Sequence, residues 1–163
     1  MGADDVQAGD TAVAGVIARP PRLFLAALLL GFVLDRLLPS SFAVLSHPLH
    51  GVVGVTLILI GLGFGVAGIR NFSRAATPVP TYKPTRALVT TGIHRWTRNP
   101  IYVGMFLIYG GIGIFARSSW TVVLTLPLAI AMRYGVVARE EAYLERRFGD
   151  AYRDYKARVR RWL

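Results

Sequence analysis

The chain has no cysteine. Disulfide frameworks, thiolate metal sites and thiol nucleophiles are therefore excluded. Acidic side chains are scarce, with 9 Asp and Glu against 19 Lys and Arg, and histidine occurs only at His47, His50 and His94. His47 and His50 have a spacing that can share a helix face. Pro48 lies between them, however, and no nearby Asp or Glu completes a ligand set, so no metal site is expected. The formal net charge of +10 raises the question of nucleic acid. Its cations flank apolar blocks instead of covering a soluble face. Anionic lipid headgroups are thus the expected counter-charge, and nucleic acid is not expected as a partner.

The 163 residues are 53% hydrophobic, and the mean hydropathy is +0.45. The apolar residues fall in long blocks instead of amphipathic stripes, which points to the bilayer. Residues 1–22 read as a disordered tail. Asp4, Asp5 and Asp10 make it acidic where a secretory leader would be positive. Residues 23–163 read as one membrane domain.

Four apolar blocks follow: Leu23–Leu38, Gly51–Ile69, Ile101–Ala116 and Trp120–Ala138. The first ends at Pro39 with Asp35-Arg36 beside it, a pair that reaches the interface by snorkelling. The second carries Gly51, Gly54, Gly61, Gly63, Gly65 and Gly68. Gly61-x-Gly63-x-Gly65 suggests a nearly flat helix side, suited to close helix packing or to backbone approach by a flat ligand. Glycine spacing alone leaves both open. Pro127 predicts a kink in the fourth block, and Arg133 within that block calls for a polar cavity or an anionic partner.

Between the second and third blocks runs one long polar connection, residues 70–99, with Arg70, Arg74, Lys83, Arg86, Arg95 and Arg98 and no acid. Pro78, Pro80 and Pro84 make its first half extended, and Thr90-Thr91-Gly92 signals a turn. From Arg139 onward, Leu144, Phe148, Tyr152, Tyr155 and Val159 recur at three- and four-residue steps, with Tyr143 beside the first of them, a helical stripe. The fold expected is an all-α polytopic membrane helix bundle of about four spans with an amphipathic C-terminal helix. The basic connection and tail place both termini and residues 70–100 on the cytoplasmic side. The localisation expected is multi-pass, in a bacterial inner membrane.

Two groups of residues then emerge on one face. One is Leu88-Val89-x-x-Gly92-x-His94-x-x-x-Arg98-Asn99-Pro100-x-Tyr102-x-Gly104. The other is Glu140-Glu141-x-x-Leu144-x-x-x-Phe148-Gly149-x-x-Tyr152-x-x-Tyr155. The bland reading is helix termination: Pro100 in a first turn, arginines on lipid phosphate, and Glu140-Glu141 solvated. The pairing of two such groups argues for a site.

These residues resemble a known family. Arg98-Asn99-Pro100-Ile101-Tyr102-Val103-Gly104 is similar to the Arg-His-Pro-x-Tyr-x-Gly signature of isoprenylcysteine carboxyl methyltransferases. The preceding Leu-Val-x-x-Gly and the later Glu-Glu…Phe-Gly-x-x-Tyr-x-x-Tyr belong to the same pattern, and phosphatidylethanolamine N-methyltransferases are related. The resemblance covers residues 83–163, the expected catalytic half.

It implies an S-adenosylmethionine-dependent membrane methyltransferase acting on a lipid-like or hydrophobic acceptor, by carboxylate O- or amine N-methylation, at the cytoplasmic face. By position, Leu88 and Val89 offer backbone groups to the cofactor and His94 packs on it. Arg98, Asn99 and Pro100 hold its amino-acid or adenosine portion with Tyr102 nearby, and Glu140 or Glu141 takes its polar groups. Arg98 and Glu141 are the candidate catalytic pair, and Arg133 or Arg139 would orient an anionic acceptor. Asn99 stands where the family often has His, and an amide cannot titrate near neutral pH; His94 is the nearest substitute.

Two other classes compete. NADPH-dependent sterol or enone reductases share the Arg-His-Pro-x-Tyr-x-Gly type of run. They end in a Lys-Tyr-Gly and Trp-rich tail, where this chain has Arg147-Phe148-Gly149. A non-enzymatic protein binding lipid, haem or a partner is the third reading. No histidine sits mid-span, which disfavours a bis-His haem.

Overall fold

The computed structural model of the protein describes residues 14–39, 49–79 and 83–163. Every regular element among them is helical. Helix α1, Pro20–Leu37, opens on two prolines. A first-turn proline forfeits only an N–H that has no intrahelical partner, so Pro20-Pro21 begin the helix instead of leading up to it. Of the tail expected over residues 1–22, residues 1–13 lie outside the described residues; in the remainder Ala14 is buried and Ile17 N–H donates to Gly135 O at 3.1 Å, which ties this stretch to the bundle.

Helix α2, Leu49–Arg74, runs five residues beyond the block that ends at Ile69. Arg70 and Asn71 are polar but do not break a helix, and the first breaker is Pro78. His50 lies in the first turn of α2; His47 is outside the described residues. A short 3₁₀ turn, Gly92–Arg95, leads to α3, Pro100–Phe115, with Pro100 at its first position. A continuous helical run, Ser119–Phe148, follows. It comprises α4, Ser119–Ile130, a π-helical stretch, Ala131–Val137, and α5, Ala138–Phe148. The helix thus continues through Pro127, which has no N–H to donate to the ladder, and changes pitch just after it. The expected single C-terminal helix is divided. Gly149, at φ +52°, ends α5 before α6, Asp150–Arg158, begins. Only glycine adopts that backbone readily.

Helices α2 and α3 lie antiparallel along a seam of glycines. A Cβ on Gly61 would sit 2.6 Å from Gly104 O, and one on Gly54 would sit 2.8 Å from Gly111 O. Gly68 continues the row, where a Cβ would meet Ile101 Cγ1 at 2.6 Å. Gly54, Gly61 and Gly68 recur every seven residues, which keeps them on one face. The expected Gly61-Gly63-Gly65 face is therefore corrected. Alternate residues of a helix point in different directions, and a Cβ on Gly63 or Gly65 would meet nothing within 4 Å. The seam serves close helix packing.

Helix α1 packs on α4. Their junction is fixed by Asp35, whose carboxylate accepts Ser118 Oγ–H and, at 3.3 Å, Trp120 N–H. Ser118 caps α4 by accepting Thr121 N–H at 3.1 Å, and Trp120 Nε1 donates to Leu38 O at 2.8 Å. Asp35 is thus tied into the bundle, not snorkelling. Phe24, Tyr109, Leu128, Met132 and Val136 form the buried core.

Elsewhere the apolar side chains face outward. Leu25, Leu29 and Val33 on α1, Val52, Leu59 and Val66 on α2, and Leu126 on α4 are all exposed. A band of large aliphatic side chains this extensive is costly in water and favourable in hydrocarbon. Leu49–Arg74 and Ser119–Phe148 are long and apolar enough to cross a membrane. Helices α1 and α3 run 18 and 16 residues.

Candidate functional site

A cavity of about 500 Å³ opens where the first turns of α1 and α3, the 3₁₀ turn and the tail helices converge. That volume suits a small organic ligand. Leu88, Val89, His94, Arg98, Asn99, Pro100, Tyr102, Glu140 and Glu141 all line it. The two sequence groups therefore form one site. Arg133 and Arg139 do not line it. Arg133 is exposed, with its guanidinium 5.4 Å from the Tyr134 ring centroid, and Arg139 Nη1 donates to Gly15 O at 2.7 Å. The cavity lining thus does not include the two arginines expected to orient an acceptor. Arg22, in the first turn of α1, lines the cavity instead.

Pro100 sets where α3 begins, leaving Arg98 and Asn99 in non-helical backbone at its mouth. Arg98 Nη2 lies 2.9 Å from Glu141 Oε1, and both side chains are more than nine-tenths buried. Glu141 is also gripped from the C-terminal end. Arg161 Nε donates to Oε1 at 2.9 Å and Nη2 to Oε2 at 2.6 Å. Two guanidiniums around one carboxylate leave a net positive charge at the cavity wall. Among the described residues no acceptor reaches Arg98 Nε or Nη1, although both atoms are buried. Buried donors without acceptors are unfavourable in a native structure unless a ligand or solvent meets them.

His94 presents a third such donor. Asn71 Nδ2 donates to Thr91 O at 2.7 Å and lies 3.2 Å from His94 Nδ1, so Nδ1 accepts and the ring proton sits on Nε2. His94 Nε2 is buried with no partner among the described residues. Burial lowers the His94 pKa from 6.5 to about 4, keeping the ring neutral. Phe72 packs edge-on against it at 5.2 Å between centroids. Tyr155 OH donates to His94 O at 2.8 Å, and burial pushes that phenol to about 12, so it remains a donor. Gly92 approaches Asn71 so closely, at φ +57°, that a Cβ would lie 2.5 Å from Nδ2.

Across the cavity, Tyr102 OH donates to Glu140 Oε1 at 2.7 Å. Tyr143 OH accepts Thr85 N–H at 3.0 Å and pins the connection over the site. Asn99 faces the tail with its amide: Nδ2 donates to Arg161 O at 3.0 Å. Arg98 N–H donates to Arg160 O at 3.0 Å and Thr97 Oγ1 to Arg161 O at 3.2 Å. The residues after α6 thus strap across the Arg98-Asn99-Pro100 turn, and Trp162 meets Phe106 edge-on at 6.1 Å.

Sequence reasoning missed Asn71, Arg161 and the strap. Asn71 carried a signal, as an amide in the last turn of an apolar helix. Arg161 carried none, being one of several arginines in a basic tail.

The family described as Phospholipid methyltransferase matches residues 49–151. An uncharacterized protein of Haemophilus influenzae is 70% identical over 27 residues, 17% of this chain. The chain covers 43% of the length of that relative. No solved structure matches the chain.

Proposed function

Because the chain belongs to the phospholipid methyltransferase family, we propose that it is an S-adenosylmethionine-dependent methyltransferase of the membrane, acting on a lipid-like or hydrophobic acceptor. The observation that carries this reading is the set of buried donors at the cavity that have no partner among the described residues: Arg98 Nε, Arg98 Nη1 and His94 Nε2. Such donors suit the carboxylate of an amino-acid group, and the cavity is large enough for a nucleoside besides. The residues present therefore fit S-adenosylmethionine.

Bound there, S-adenosylmethionine supplies the methyl group. Arg98 would hold the carboxylate through charge-assisted hydrogen bonds. His94 would donate from Nε2 and, being neutral, would add no positive charge to a site that takes a cation. Leu88 and Val89 form an apolar wall, and Glu140, oriented by Tyr102 OH, gives the site an acidic side for cationic or amino groups. Arg22 stands at the mouth, where it can meet an anionic part of the acceptor. The work of these residues is alignment and exclusion of water, which favour displacement at an activated methyl group; an amine acceptor would in addition have to give up a proton.

The cavity lies at the Arg74, Arg95, Arg98 and tail end of the helices. That basic end is the cytoplasmic one by the positive-inside rule, with α1 to α4 as four spans and the acceptor arriving from the bilayer. Calorimetry with S-adenosylhomocysteine on detergent-purified protein tests the reading. Wild type is expected to bind, and Arg98→Ala to bind at least tenfold more weakly. Absence of wild-type binding in several lipid mixtures, with no labelled methyl transferred into lipid extracts, would refute it.

A further inference from the structure

Glu141 has two carboxylate oxygens, and the two arginines use them unequally. Arg161 takes both through Nε and Nη2, at 2.9 and 2.6 Å. Arg98 is left a single contact, Nη2 to Oε1 at 2.9 Å. A guanidinium beside a lone carboxylate normally turns to meet it with two parallel bonds. Here the bidentate position is already filled, so Arg98 Nε and Nη1 are kept out of the ion pair. Arg161 itself does not line the cavity, and its side chain is 26% exposed against 8% for Arg98. It is held by the strap, whose Arg161 carbonyl receives Thr97 Oγ1–H and Asn99 Nδ2–H.

We propose that Arg161 is a positioning residue: by occupying the Glu141 carboxylate bidentately, it holds Arg98 ready for a carboxylate in the cavity. The inference rests on the functional reading above and adds a residue and a means of control to it. Without Arg161, Glu141 captures the Arg98 fork, and the cavity loses donors while gaining nothing. Electrostatics act in the same direction. The Arg98–Glu141–Arg161 cluster carries one net positive charge; removing Arg161 makes it neutral, and the attraction for an anion fades. The C-terminal strap thereby sets the strength of the site without touching its occupant.

The test compares two ligands that differ in the carboxylate-bearing portion. S-adenosylhomocysteine has it; 5′-methylthioadenosine keeps the nucleoside and the sulfur but lacks the amino-acid group. Calorimetry on the detergent-purified full chain is expected to show Arg161→Ala weakening S-adenosylhomocysteine tenfold or more, with 5′-methylthioadenosine within twofold of wild type. Arg161→Lys, which keeps the charge but cannot form the fork, falls between. In a Glu141→Gln background, Arg161→Ala is expected to cost less than it does in the wild-type background, because the carboxylate that competes for Arg98 is gone and only the loss of one positive charge remains. Equal weakening of both ligands, or of neither, overturns the proposal by making Arg161 merely structural or irrelevant. Failure of wild type to bind either ligand would instead overturn the functional reading. Should Arg161→Ala lose its melting transition, Arg161→Lys decides the question by the same ratio of affinities.

Discussion

Gly61 and Gly104 meet backbone to backbone, so that a Cβ on either would stand 2.6 Å from the carbonyl oxygen of the other. Neither helix can tolerate a side chain there without separating from its neighbour. Gly61→Ala and Gly104→Ala are each expected to destabilise by about 1–3 kcal/mol, the usual range for overpacking. Gly63→Ala, in open space, is expected to be neutral or stabilising by up to about 1 kcal/mol from helix propensity. Melting in detergent checks the contrast; like behaviour of Gly61 and Gly63 would show that the seam is not the contact that matters. The site depends on this seam, because α3 carries Pro100 and Tyr102 while α2 carries Asn71 and Phe72.

Asp35 predicts a separation of stability from binding. Its carboxylate joins the end of α1 to the start of α4 through Ser118 and Trp120. Asp35→Ala leaves those donors without a charged acceptor and is expected to cost about 1–3 kcal/mol. The cavity is lined by the opposite end of α1, so affinity for S-adenosylhomocysteine should stay within twofold. Calorimetry run beside the melting curve checks both halves.

For His94 the sign of the pH effect follows from its pKa of about 4 in the folded chain, below the ordinary 6.5. Between those values the unfolded chain takes up a proton that the folded one refuses. Stability contributed by neutral His94 is therefore full above pH 6.5 and is lost progressively as the pH falls toward 4, by about 3 kcal/mol in all. His94→Gln is expected to flatten the fall in melting temperature over that window. An unchanged slope would mean that His94 does not titrate as its burial requires.

Asn99 stands where the signature that residues 98–104 resemble has His, and its observed work is to donate Nδ2–H to Arg161 O at 3.0 Å. An imidazole N–H can make the same kind of bond, and a leucine cannot. Asn99→His is expected to keep ligand affinity near wild type. Asn99→Leu should lose about 1 kcal/mol, or roughly fivefold. If Asn99→His instead imposes a new pH dependence on methyl transfer, the position takes part in proton movement and is more than an anchor.

The helices and the meeting of two distant groups were legible because they rest on periodicity, hydropathy and local breakers. Pro100 marked a helix start, and Arg98 found Glu141 as the same-face argument required. What escaped depends on where side chains point after the chain has turned. Arg139 and Glu140 are neighbours in sequence, yet one reaches Gly15 and the other the cavity, since successive helical residues diverge by about 100°. Arg161 was chosen from a basic tail by the break at Gly149 and the extended Val159, φ −121° and ψ 132°, neither of which a charge pattern reveals. Asn71 looked like the exit from a span and proved to be a buried clamp for His94, because the turn at Gly92 folds back onto it.

The π stretch at Ala131–Val137 has a consequence for everything after it. A widened turn accommodates an additional residue, and each additional residue rotates the following helix by roughly 100° about its axis relative to an unbroken α-helix. The run from Ser119 to Phe148 is therefore one rod with two phases. Its first half presents Val123, Leu126 and Ile130 outward. Its second half is dialled round so that Glu140 and Glu141 look into the cavity. Restoring ordinary pitch there would leave the helix intact and the carboxylates aimed elsewhere.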